Sequence, residues 1–192
     1  MLFRLGPPPN SLSDAELASG EWQRLARPPL WALNLLSIPI GAVMAFLVLV
    51  GWALFTPRFK VSFEPGYQVA VVFLLVVVAG MLLQISTYPG MGLTNHSVFG
   101  VWPSRLTPYT VHLSKVSRRH LITSLLLPFV VLALLPLLIA SVIRVSSGWL
   151  VFASCLSAAT FGINVVLAVP AFRLPKGSVV AGRGFKLYWQ VR

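Results

Sequence analysis

The chain has 192 residues, 57% hydrophobic and 10% charged, with 15 Lys+Arg against 4 Asp+Glu and a formal net charge of +11. Its mean hydropathy is +0.84. Soluble domains carry about a quarter charged residues, so this composition excludes an ordinary cytosolic enzyme, a disordered chain and a disulfide scaffold, and leaves an integral membrane protein.

Residues 1–29 read as a cytoplasmic arm. They open with Pro7, Pro8 and Pro9 and reach Ser13-Asp14-Ala15-Glu16, the S-x-x-E spacing of a capping box. The pattern predicts a short interfacial helix from about Asp14 to Ala26, with Ala18, Trp22, Leu25 and Ala26 at helical spacing and Pro28-Pro29 as its stop. Four uncharged apolar runs follow at about 30–55, 69–85, 121–143 and 148–172, each long enough to cross a bilayer as a helix. Lipid offers no partner to an open backbone, and no run shows the alternation of a barrel strand. Pro39, Pro128 and Pro136 inside the runs predict kinks. Trp31, Trp52 and Trp149 near the run ends favour the headgroup level.

Residues 86–120 make a connection of 35 residues between spans two and three, longer than a plain loop. It begins with the turn cluster Tyr88-Pro89-Gly90-Met91-Gly92, continues through a candidate strand from His96 to Pro103, and ends in the basic collar Lys115-Val116-Ser117-Arg118-Arg119-His120. The tail, residues 173–192, is basic and aromatic. Its two alternating segments around Gly182-Arg183-Gly184 predict a small β-hairpin. The expected fold is therefore an all-α membrane protein of four helices (residues 30–172) between an arm and a tail.

Charge sets an expected orientation. Four spans place the arm, the long connection and the tail on one side. Those carry Arg4, Arg24, Arg27, Arg105, Lys115, Arg118, Arg119, Arg173, Lys176, Arg183, Lys186 and Arg192, against Arg58, Lys60 and Arg144 on the other. Twelve against three predicts both termini in the cytoplasm. Arg105, Lys115, Arg118, Arg119, Arg173 and Lys176 are the expected contacts to anionic lipid headgroups. No nucleic-acid module accompanies the basic charge, so no nucleic-acid partner is expected.

The chemistry open to the chain is narrow. The four runs contain no Asp, Glu, Lys, Arg or His, whereas coupled transporters and membrane hydrolases need ionisable groups in the membrane interior. Cys155, the one cysteine, reads as a small apolar residue. His96, His112 and His120 lie within one segment, and three histidines are enough ligands for a zinc site, but their spacing matches no known motif.

Tyr88-Pro89-Gly90-Met91-Gly92-Leu93, followed by Gly100-Val101-Trp102-Pro103-Ser104-Arg105, resembles the multi-pass bacterial zincin-type membrane metallopeptidases. Pro128-Phe129 in the next span fits the same pattern, as do Pro175, Gly177 and Trp189 after the last one. The resemblance covers about residues 69–190. It implies a zinc-binding H-E-x-x-H helix where this chain has Gly80-Met81-Leu82-Leu83-Gln84, and an acidic third ligand near Asn164. Without the two histidines and the glutamate there is no Lewis acid and no activated water at those positions. The resemblance thus implies a metallopeptidase-like scaffold with its chemistry removed.

The expected role is a non-catalytic accessory subunit of a larger membrane complex, respiratory or photosynthetic, with other integral membrane subunits as partners and no cofactor of its own. Its expected interface residues are Pro7, Pro8, Pro9, Trp22, Trp102, Pro103, Arg105, Phe185, Tyr188 and Trp189, aromatic, proline and arginine side chains of the kinds interfaces favour. Two other roles compete with it: a metal-dependent membrane hydrolase built on the three histidines, and a lipid-, pigment- or haem-binding module using His96 or His120 as an axial ligand.

Overall fold

The computed structural model describes residues 2–26, 28–56, 66–92, 94–103, 107–144, 147–184 and 186–191. The expectations attached to Arg27, Arg58, Lys60, Leu93, Ser104, Arg105, Phe185 and Arg192 lie outside the described residues.

Among the described residues, four helices have the length and apolar composition to cross a membrane, and they make the chain a multi-pass membrane protein. The first, α2, is Leu30–Phe55, and the second, α3, is Tyr67–Ser86. The third runs over Arg118–Ile143 as α4 (Arg118–Phe129), a π-helical turn (Val130–Leu134) and α5 (Leu135–Ile143). The fourth, α6, is Gly148–Phe172. The expected bounds agree with these to within three residues. The π turn lies between Pro128 and Pro136, each of which lacks the N–H that an α-helical ladder needs, so the backbone relaxes there into a wider turn.

The arm, the long connection and the tail contribute strands to two sheets, so the all-α expectation is corrected. One sheet has the order β1-β3-β4, from Leu2–Leu5, Ser97–Trp102 and Thr107–His112. The other has the order β2-β7-β6-β5, from Gln23–Arg24, Lys186–Val191, Ser178–Arg183 and Val116–Ser117. The tail does form a hairpin, β6 to β7, in which Arg183 pairs with Lys186 beyond Gly184 at φ +58°. Strands of the arm, the connection and the tail pair with one another: β1 with β3, β2 with β7, and β5 with β6.

The predicted helix of residues 14–26 is corrected as well. Only α1, Asp14–Ala18, forms, held by the capping box between Ser13 and Glu16. Gly20 at φ +75° turns the chain out of the helix, and β2 follows. Trp22 and Leu25 are three apart, and in extended chain they serve different cores. Trp22 packs with Leu12 and Ala181, while Leu25 packs with Leu121, Ala171, Leu174 and Val180.

Packing divides the protein into two compact units. One joins Met1–Leu30, Leu83–Leu125 and Leu167–Arg192; the other joins Trp31–Leu82 and Leu126–Val166. The second holds a cluster of Val48, Trp52, Ala133, Leu137, Ala140, Val151 and Ala158. Within it the Trp52 indole Nε1 donates to Ser154 Oγ at 3.1 Å, and that hydroxyl donates to the Ala133 carbonyl of the π turn at 2.6 Å. Small residues allow the helices to close. A Cβ added to Gly41 would strike the Ala159 backbone, and one added to Gly162 would lie 2.7 Å from Met44 Cγ.

Candidate functional site

The proline arm is anchored before it lines anything. Gly6 N donates to Val101 O at 3.0 Å, extending the β1–β3 pairing. Gly100 leaves the β3 backbone bare, and the ring of its cross-strand partner Tyr109 lies over it. The Tyr109 hydroxyl reaches the Pro7 carbonyl at 3.4 Å. At the far end of the arm, Ser11 Oγ donates to Gly182 O at 2.7 Å and accepts from Gly182 N at 2.7 Å.

Held at both ends, Pro7, Pro8, Pro9 and Asn10 form one wall of a groove of about 470 Å³. Arg4, Trp102 and Gly184 complete its lining. Two surfaces that the sequence offers separately as interfaces, the arm and the Trp102 loop, therefore meet in one place, beside the tail turn at Gly184. Proline contributes a rigid wall and a free carbonyl, and Trp102 a large apolar ring. Arg4, Asn10 and Gly184 were not foreseen, because only the parallel β1–β3 pairing and the β6–β7 turn bring them here.

Other interface candidates are placed differently. Trp22 is 9% exposed and belongs to a core. Tyr188 packs on that same core, and Trp189 packs on the Leu25 cluster. Pro103 is exposed just after β3. Lys115 pairs with Glu16 at 2.9 Å, and its Nζ sits 5.2 Å above the Trp22 ring. The Ser13 backbone N–H, then Lys115, then the Ser13 hydroxyl hold the Glu16 carboxyl down at about 2.

Of the histidines, two meet. The His96 and His112 rings are 6.4 Å apart, and Tyr88 lies 5.0 Å from His112. His112 is buried, its Nδ1 faces Ser114 Oγ at 2.6 Å, and its Nε2 has no hydrogen-bond partner among the described residues. Burial pushes its pKa below the ordinary value, with the charges of His96 and His120 acting in the same direction. A neutral imidazole is thus favoured there. His120 instead faces Ser117 Oγ through Nδ1 at 2.8 Å. Among the described residues no three His, Cys, Asp or Glu side chains form a group able to hold a metal.

The residues that the resemblance would set at the zincin motif make packing contacts and a hydrogen bond. A Cβ at Gly80 would strike the Phe161 ring, so no larger side chain fits there. Met81 is buried, Gln84 Oε1 accepts from Thr110 Oγ1 at 3.0 Å, and Asn164 is half-buried on α6. Among the headgroup candidates, Arg173 is exposed just past α6. Arg118, Arg119 and Lys176 line one basic cavity of about 490 Å³.

These features define a multi-pass helical membrane protein that also carries two small β-sheets. In comparisons with known proteins, no family model, no curated protein and no solved structure matches the chain.

Proposed function

We propose that this chain is a non-catalytic accessory subunit of a larger membrane protein complex, and that it docks another integral membrane subunit through the groove formed by Arg4, the proline arm, Trp102 and Gly184. The observation that carries this reading is the convergence itself: three segments far apart in sequence are tied together to build one proline- and tryptophan-walled surface. The ancestral scaffold in this reading is that of the zincin-type membrane metallopeptidases, with packing residues where the ligands would stand. The protein lies in a bacterial inner membrane with both termini cytoplasmic. The hydrogen-bonded pairing of arm, connection and tail strands favours a single side for all three, and the excess of basic residues favours the cytoplasm.

The test is purification of the tagged full chain in mild detergent, with mass spectrometry of what accompanies it. An integral membrane partner in fixed stoichiometry is expected, and Trp102→Ala is expected to release it while leaving the chain folded. A solitary chain, or a partner that the substitution does not disturb, would overturn the reading.

A second reading rests on His112 Nε2, buried beside His96 and unpartnered among the described residues. It makes this pair the start of a metal site in a hydrolase. Metal analysis of the same sample decides it: stoichiometric zinc lost in His112→Ala supports the hydrolase, and a zinc-free active complex removes it.

A further inference from the structure

The basic cavity is built where α6 ends and α4 begins. A helix C-terminus leaves carbonyls without partners. Here Arg118 fills that role, with Nε donating to Ala171 O at 3.1 Å and Nη2 to Phe172 O at 2.9 Å. The contact fixes the guanidinium in place and joins the first turn of α4 to the last turn of α6. The next residue, Arg119, is exposed and enters the same cavity, and Lys176 approaches it from the segment leading into β6. Among the described residues no carboxylate lines the cavity. The rest of the lining divides by polarity, with Ser117 and Ser178 on the polar side and Ile122 and Phe172 supplying apolar wall.

Cations gathered without an acid attract an anion, and an apolar wall beside them selects one that carries hydrocarbon. Both helices that bound the cavity belong to membrane-spanning segments, so the ligand has to be met at the end of a span, where lipid headgroups lie. We propose that this cavity binds the phosphate of an anionic glycerophospholipid. Arg119 and Lys176 hold the phosphate oxygens, and Arg118 adds charge from its fixed position. The start of an acyl chain runs along Ile122 and Phe172. The site is separate from the docking groove, and its failure would leave the accessory-subunit reading standing.

The experiment uses the purified, delipidated full chain and counts lipid adducts by native mass spectrometry. Phosphatidylglycerol is compared with phosphatidylcholine of the same acyl chains, and inorganic phosphate is added as competitor. One phosphatidylglycerol is expected to bind selectively. Arg119→Gln with Lys176→Gln is expected to weaken it by about ten- to thirtyfold, from two cations lost at the surface. The control Arg24→Gln with Lys186→Gln removes the same charge at exposed positions outside the cavity and is expected to leave binding unchanged. Equal loss in the control would make the attraction a matter of net charge and overturn the site. Equal binding of phosphatidylcholine would overturn the requirement for an anion. Full displacement by millimolar inorganic phosphate would assign the cavity to free phosphate and overturn the lipid.

Discussion

Gly41 and Gly51 lie on the same helix, α2, and their replacement by alanine separates packing from helix propensity. Alanine gains the same propensity at both positions, about 1 kcal/mol over glycine in an exposed helix in water. The surroundings differ. At Gly41 the new Cβ would strike the Ala159 carbonyl oxygen, with the carbonyl carbon at 3.2 Å and Cα at 3.3 Å, all backbone atoms that cannot turn aside. At Gly51 it would meet Leu137 Cδ2 at 2.9 Å, the end of a side chain that can rotate away. Gly41→Ala must therefore move α2 off α6, and a gap of roughly 0.5–1 Å forfeits about a quarter to a half of the dispersion in each contact it opens. Overpacking of this kind costs about 1–3 kcal/mol. The difference between the two variants is thus expected to be about 1–3 kcal/mol, with Gly41→Ala the less stable. Reversible unfolding in mixed micelles measures it, with fluorescence of the buried Trp52 as a probe. Equal stabilities, or a more damaging Gly51→Ala, would refute the close crossing at Ala159.

Two further outcomes follow from the polar contacts. Trp52→Phe and Ser154→Ala each break the chain from the indole to the Ala133 carbonyl, so a double-mutant cycle should return a coupling of about 0.6–1.7 kcal/mol, the range for hydrogen bonds between membrane helices; strictly additive losses would count against the bond. Glu16 is held at about 2 against an ordinary 4.5, so the unfolded chain takes up its proton first as the pH falls. The stabilisation is complete above the ordinary value and disappears as the pH drops toward 2. Because the Ser13 backbone is the first cause of the shift and Lys115 the second, Lys115→Met should raise the Glu16 midpoint, read by carboxyl NMR, yet leave it below 4.5; a return to 4.5 would show that the ion pair acts alone.

The helices were legible because a membrane span needs only local information, a run of uncharged residues of sufficient length. Their extra residues at Tyr67 and Arg118 were not, since Arg118 joins α4 through carbonyls contributed by α6. The sheets were legible only where one turn makes the pairing, as in β6–β7. The parallel pairing of β1 with β3 sets Leu2 opposite Val98, and nothing within four residues announces a partner so distant. Helical spacing at Ala18, Trp22, Leu25 and Ala26 misled because Gly20 in the left-handed region cuts the run before Trp22. The groove shared this difficulty: its proline and tryptophan were visible as unusual residues, while their meeting depends on Gly100 admitting Tyr109 and on Ser11 gripping Gly182.

Exposure adds to composition an argument about which solvent the helices meet. Ile38 and Leu54 are each 73% exposed and Val142 81%, while Ser154 is fully buried and Ser157 nearly so. A chain folded for water would reverse that order, since burying an isoleucine or leucine yields about 1.5–3 kcal/mol and burying a hydroxyl yields nothing without a partner. The serines inside are satisfied by backbone carbonyls, Ser154 by Ala133 and Ser157 by Ala153. Being small, they also let the helices approach where larger side chains would hold them apart. The leucines and valines outside then have lipid or the helices of another subunit as their surroundings, because an apolar surface of this extent is not left to water. The same exposed face that marks the helices as spanning is therefore surface available to a membrane partner, in keeping with the accessory role proposed from the groove.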